Sequence, residues 1–158
     1  MQGLVIDINQ VNLVAAPAGQ SQPAWDFQAG YNLAGLKIFD FSHTADTIRF
    51  SGPGQSATNI GGGADTFVLT LFHGQTITNF QSGLDHIGLE RIIFGSSLSN
   101  ITFDIGPSPV AVANHHANIL YDTQSGALSY FDPDDGILTH FATLTGHPTL
   151  LASDFTLA

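Results

Sequence analysis

The chain has 158 residues, 43% of them hydrophobic and only 10% charged, with 13 acidic side chains against 3 basic ones and a formal net charge of −10. That balance argues against nucleic-acid and anionic-membrane partners, which need a basic face, and favours a cation. There is no cysteine, which excludes disulfides and thiolate metal sites.

The length suits one domain with a short extra arm. Glu90 is the only glutamate among the acids; the rest are Asp, which prefers turns, caps and oxygen-ligand sites over helical surfaces. Together with 17 glycines and 12 phenylalanines this reads as a β-rich, turn-rich chain. No run approaches 18 apolar residues, so no membrane span is expected. The N-terminus lacks the basic and apolar regions of a signal peptide.

In chain order, "GLVIDINQVNLV" (3–14) alternates and is rich in β-branched residues, so it predicts a strand. It either pairs within its own sheet or, carried on the Pro/Gly/Ser linker "APAGQSQPAW" (16–25), adds to a sheet edge of another copy. The second option builds a head-to-tail filament. "LKIFDF" (36–41) predicts the next strand.

A repeat follows. "ADTIRF" (45–50), "GGGADTFVL" (61–69), "GQTITNF" (74–80) and "LDHIGL" (84–89) each place an apolar residue two positions after a polar one. The polar slots read as 46, 56, 65, 75 and 85, in steps of nine or ten, with Ser56 and Thr58 taken as a polar and an apolar slot. "IGGGADTFV" (60–68) fits the nonapeptide G-G-x-G-x-D-x-U-x, with Ile60 in place of the first glycine. Glycines let the turn curl tightly, Asp contributes a carboxylate, and the apolar residue enters a short strand facing the core. Each repeat is half a coil, and coils stack at one strand spacing, roughly 4.8 Å.

Turns alternate between two edges of such a roll. One edge carries Asp46, Asp65 and Asp85; the other carries the uncharged Ser56 and Gln75. A cation between stacked turns is therefore expected on the first edge only. The plain alternative is a series of ordinary Asp-containing β-turns.

From about residue 41 onward the sequence resembles the C-terminal module of RTX (repeats-in-toxin) proteins. The residues that carry the likeness are "ADTFVL", "GQTITNFQSGLDHIGL", "ILYDTQSGALSYFDPDDG" and "FATLTGHPTLLASDFTLA". The resemblance implies an all-β fold: a short calcium-binding parallel β-roll with a β-rich C-terminal cap, preceded here by an N-terminal strand or arm. It divides the chain into an arm (1–40), the roll (41–90) and a cap (91–158). It also implies Ca2+ held by the carboxylates of Asp46, Asp65 and Asp85 and the carbonyls of Gly61 and Gly63, in up to two sites. Phe67, Ile77 and Ile87 would line the core. The end "LLASDFTLA" would be an uncleaved signal read by type I secretion machinery, and the protein would act outside the cell or on its surface. Gln75 and Asn79 stand where the family often has Asp, which weakens a site on their edge.

Farther on, "YDTQSGALSYFD" (121–132) predicts a hairpin turning at Ser125-Gly126. "DPDDG" (132–136) reads as an acidic turn or as a further calcium loop, but lacks the closing Glu of an EF-hand. His115 and His116 are adjacent, so on a strand they face opposite sides and do not chelate one ion. No HExxH or GxSxG occurs, and the chain is expected not to be an enzyme. The expected function is an exported calcium-binding structural or surface protein, folding on extracellular calcium and self-assembling through its N-terminal strand. The alternatives are a secretion module of a larger RTX enzyme or toxin, and a small secreted adhesin or effector.

Overall fold

The computed structural model describes residues 5–7, 24–26, 37–40, 43–50, 52–69, 74–95, 97–111, 117–132 and 134–158. Two sheets face each other. Strands β1 (Val5–Asp7), β3 (Lys37–Asp40), β5 (Ser56–Asn59) and β7 (Gln75–Thr78) run side by side in one. Strands β2 (Ala24–Asp26), β4 (Thr47–Arg49), β6 (Thr66–Leu69) and β8 (His86–Leu89) run side by side in the other. All of these pairings are parallel. The chain thus winds from sheet to sheet as a β-solenoid of about four turns, a parallel β-roll.

The register explains why these sequences coil. In β3 the inward residues are Ile38 and Asp40, and in β4 Ile48 is wholly buried. Phe67, Ile77 and Ile87 occupy the matching inward positions of β6, β7 and β8, each fully buried. Strands of three or four residues are too short to be stable alone. Stacking places each apolar residue on its equivalent in the next coil and buries both.

Parallel pairing extends beyond 41–90 on both sides. β1 pairs with β3, and β2 with β4. The segment 16–25, read as linker, therefore ends inside a strand, since β2 begins at Ala24. β1 thus pairs within its own sheet, the first of the two arrangements expected for this segment.

After β8 the chain leaves the solenoid through a short helix, α1 (Arg91–Phe94), and then forms β9 (Ile101–Gly106), β10 (Ala117–Asp122) and β11 (Ala127–Phe131). β10 and β11 are the hairpin expected at 121–132, with residues 123–126 in the turn. The chain then returns. β12 (Leu138–Thr145) pairs in parallel with β7, and β13 (Phe155–Leu157) pairs in parallel with β8. These two strands form the last rung, so the C-terminal residues are part of the solenoid. Phe94 plugs this end: it is buried and meets Tyr130 edge-on at 5.2 Å between ring centroids and Phe141 at 5.9 Å. Phe103 packs on Phe155 at 4.7 Å.

The slot at Ser56 is one residue out of register. Ala57 is the core residue and Gln55 the buried polar one, while Ser56 and Thr58 face outward. Ser56 pairs with Thr76, which sets Gln55 opposite Gln75. The nine-residue step lies between Asp46 and Gln55, before the slot, and not after it. Among the described residues no helix is long and apolar enough to cross a membrane. The pair His115-His116 lies outside the described residues.

The triple glycine now has a physical cause. Gly62 has φ +82°, a left-handed conformation that disfavours side chains. At Gly63 an added Cβ would sit 1.9 Å from the Thr44 carbonyl oxygen in the preceding coil. Gly63→Ala is expected to destabilise by about 3 kcal/mol or more, because rigid backbone must move. Gly136→Ala, at φ +70° in open space, is expected to cost about 1–2 kcal/mol. Urea unfolding of the two variants beside the parent checks this order.

Candidate metal centre

Each coil turns from the first sheet to the second along one edge of the solenoid. Asp40 ends β3 and Asp46 precedes β4, so both flank one turn. In the next coil Asn59 and Asp65 hold these places, and in the third Asn79 and Asp85. Register pairing stacks Asp40 beside Asn59 and, through the Thr47–Thr66–His86 row, Asp46 beside Asp65 beside Asp85. Asn79 therefore belongs to the aspartate edge and not to the edge of Gln75.

The carboxylates stack but do not share the same surroundings. Asp85 is fully buried and fully served. Its Oδ1 accepts from the backbone N–H of Asp65 at 3.1 Å, and its Oδ2 accepts from Gln81 N–H at 2.8 Å and from Asn59 Nδ2 at 3.2 Å. Asp65 repeats part of this one coil earlier, its Oδ1 accepting from Asp46 N–H at 3.0 Å. Its Oδ2, however, is buried with no hydrogen-bond partner. Burying a carboxylate oxygen without a donor or counter-charge is costly.

What lies near that oxygen increases the cost. Oxygens of Asp40, Asp46 and Asp65 lie within 4.8 Å of one another, and all three residues are buried. These side chains could hold a metal ion. Burial, and then the neighbouring Asp40, Asp85 and Asp46 charges, raise the Asp65 carboxyl from the ordinary 3.8 to about 6, against the lowering effect of the Asp46 N–H. Three converging carboxylates form a hard, anionic oxygen donor set.

Of the ligands expected from the sequence, the structure brings Asp46 and Asp65 together and adds Asp40. Asp85 stands apart, occupied by the donors named above. The Gly61 carbonyl accepts from the His43 ring Nδ1, and Gly63 is the point of closest approach between coils. Asp40 was hidden inside "LKIFDF", where the strand reading absorbed it. A signal was present: 40, 59 and 79 repeat with the same steps as 46, 65 and 85. In the "DPDDG" turn Asp132 and Asp135 accept from the backbone N–H groups of Asp134 and Ile137, at 2.9 and 2.8 Å, as in ordinary Asx turns.

Asp65 binds its proton more tightly in the folded chain than in the unfolded one. Between about pH 4 and pH 6 the folded state therefore holds more protons, and metal-free stability falls as pH rises through that window. Above about pH 6 the loss is complete, at about 1–3 kcal/mol. Asp65→Asn keeps an acceptor for Asp46 N–H and has no charge to lose. The variant is expected to be more stable than the parent at pH 7 in chelator and to lack this pH dependence, as read by urea unfolding at pH 4, 5, 6 and 7.

No family model, curated protein or solved structure matches this chain, so its functional reading rests on this geometry.

Proposed function

We propose that the chain is an exported, calcium-binding structural protein whose solenoid is completed by Ca2+ between Asp40, Asp46 and Asp65. The observation that carries this reading is Asp65 Oδ2, a buried carboxylate oxygen without a donor, in reach of two more buried carboxylates. A cation there supplies the missing counter-charge and removes the repulsion. Oxygen-only donors and the absence of cysteine favour a hard ion over a thiophilic one.

Linkage supplies the physiological logic. An ion that binds the folded state alone stabilises it by mass action. Where calcium is scarce, the stacked carboxylates repel and the coil containing them is weakened. Where calcium is millimolar, the coil closes. A chain resembling RTX modules would benefit from that difference, staying loose until export and folding outside. The C-terminal "LLASDFTLA" fits such an order: available while the chain is unfolded, then built into the last rung as β13.

Calorimetric titration and thermal melts in chelator, calcium and magnesium test the reading. Calcium is expected to raise the melting temperature by several degrees, in line with about 2–4 kcal/mol at saturation. Magnesium, which demands tighter geometry, should do less. Asp65→Asn and Asp40→Asn should abolish the response, and Asp85→Asn should lower stability yet leave a calcium response. Equal melts in calcium and chelator would overturn the proposal. Sedimentation velocity on the same samples separates a compact monomer from a self-assembling fibre.

A further inference from the structure

The outward face of the first sheet carries a second pattern, separate from the carboxylate edge. In three adjacent rungs, two hydroxyl residues flank one buried residue: Ser56-Ala57-Thr58 in β5, Thr76-Ile77-Thr78 in β7 and Thr143-Leu144-Thr145 in β12. The middle residues are wholly buried, and all six hydroxyl residues are partly or fully exposed. Register places Ser56, Thr76 and Thr143 in one row and Thr58, Thr78 and Thr145 in another. The three strands are parallel, so the array is a grid. Its step is about 4.8 Å across strands and about 6.6 Å along them.

The grid is electrically neutral on a chain of net charge −10. Its first row meets charge only at its ends, at Lys37 beside Ser56 and, past Thr143 and Ala127, at Asp122. The grid itself holds no Tyr, Trp, Arg or Met, and the aromatic that borders it is the half-buried Phe39, beside Thr58 at the end of the second row. Some hydroxyls are already fixed. Thr145 Oγ1 lies 2.8 Å from Thr78 Oγ1 and 3.1 Å from the Ile77 carbonyl, and Thr143 Oγ1 lies 3.1 Å from His140 Nε2. A hydroxyl engaged once retains capacity for water, since it carries one donor and two acceptor sites. β-Branched side chains on a packed sheet are stiff, so their methyls and hydroxyls stay in place.

A neutral, rigid, two-row lattice of hydroxyls and methyls suits a partner that is itself neutral, rigid, hydroxyl-presenting and periodic. The step across strands lies close to the shorter oxygen repeat on the faces of hexagonal ice, and the step along them is somewhat shorter than the longer one. We propose that this face adsorbs to ice, with the Thr76-Thr78 rung at the centre of the contact. The methyls seat between lattice waters while the hydroxyls continue the water network. Adsorbed protein then pins the growing crystal surface. The inference goes beyond the calcium reading and does not depend on it, because the grid stands on sheet pairing alone.

The test uses the full chain, folded, in calcium and in chelator. Ice-affinity partitioning and recrystallisation of a frozen sucrose film are measured beside an inert protein of similar size. The parent is expected to be enriched in the ice and to arrest grain growth. Thr76→Lys, placing a hydrated charge at the centre, and the milder Thr76→Ala/Thr78→Ala pair should each raise the concentration needed about tenfold or more. Thr156→Lys, on the opposite sheet, should leave it unchanged. Circular dichroism and urea midpoints confirm that each variant folds. Exclusion of the folded parent from ice overturns the proposal. So does equal activity of parent and Thr76-Thr78 variants, or retention on crystalline chitin or cellulose with no effect on ice.

Discussion

The structure depends on coils stacking in register at one strand spacing. Whatever stands at a position in one coil is brought beside its equivalent in the next. For apolar residues this is favourable, and Phe67, Ile77 and Ile87 are all wholly buried as a result. For aspartates it is a conflict, because like charges are brought together away from water. The aspartate edge consists of successive answers to that conflict. Asp85 is answered by backbone and amide donors, and Asp154, in the last turn, by Ser82 Oγ and the N–H groups of Gly83 and Leu151. Asp65 is answered on one oxygen only.

Much of this was legible because the repeat carries its own ruler. A step of nineteen or twenty residues aligns Asp46, Asp65 and Asp85, and the register pairs confirm the stack. The ruler failed where a turn changed length. Around Pro53-Gly54 the short step comes first, so Ser56 was assigned a place that Gln55 fills. It also failed to separate equivalent residues by environment. Asp85 and Asp65 look alike in the sequence, yet Gln81 N–H and Asn59 Nδ2 reach only Asp85. Those donors come from different coils, and no local pattern shows their convergence. Asp40 escaped for the opposite reason: its local pattern, an acid at the end of an alternating strand, was ordinary, and only the long period marked it.

The last rung was illegible for a topological reason. β12 and β13 are separated from β7 and β8 by the whole excursion through α1 and β9 to β11. Nothing in 138–157 announces that these residues rejoin the roll. Their composition is compatible with any cap. What places them is long-range pairing, reinforced by Asp154 reaching back to Ser82 and Gly83 and by Phe155 packing on Phe103.

These observations give the solenoid a polarity. At its C-terminal end the aspartates are served by donors of the chain itself, aromatic rings close the core, and the final rung is bonded to its neighbour. At the turn of Asp40 and Asp46 the carboxylates face one another, and an Asp65 oxygen is buried without a donor. Protein donors cost the chain nothing in composition and act at any calcium level, whereas a cation acts only where it is present. If a cation binds at Asp40, Asp46 and Asp65, as proposed, ion dependence is confined to the junction between the β3–β4 and β5–β6 coils, with the β1–β2 rung on one side of it and internally satisfied coils on the other. Asp65 Oδ1 is the acceptor against which the Asp46 turn packs. On the proposed reading, a cation there would act on the packing of one coil against the next and not on the rungs that the chain satisfies by itself.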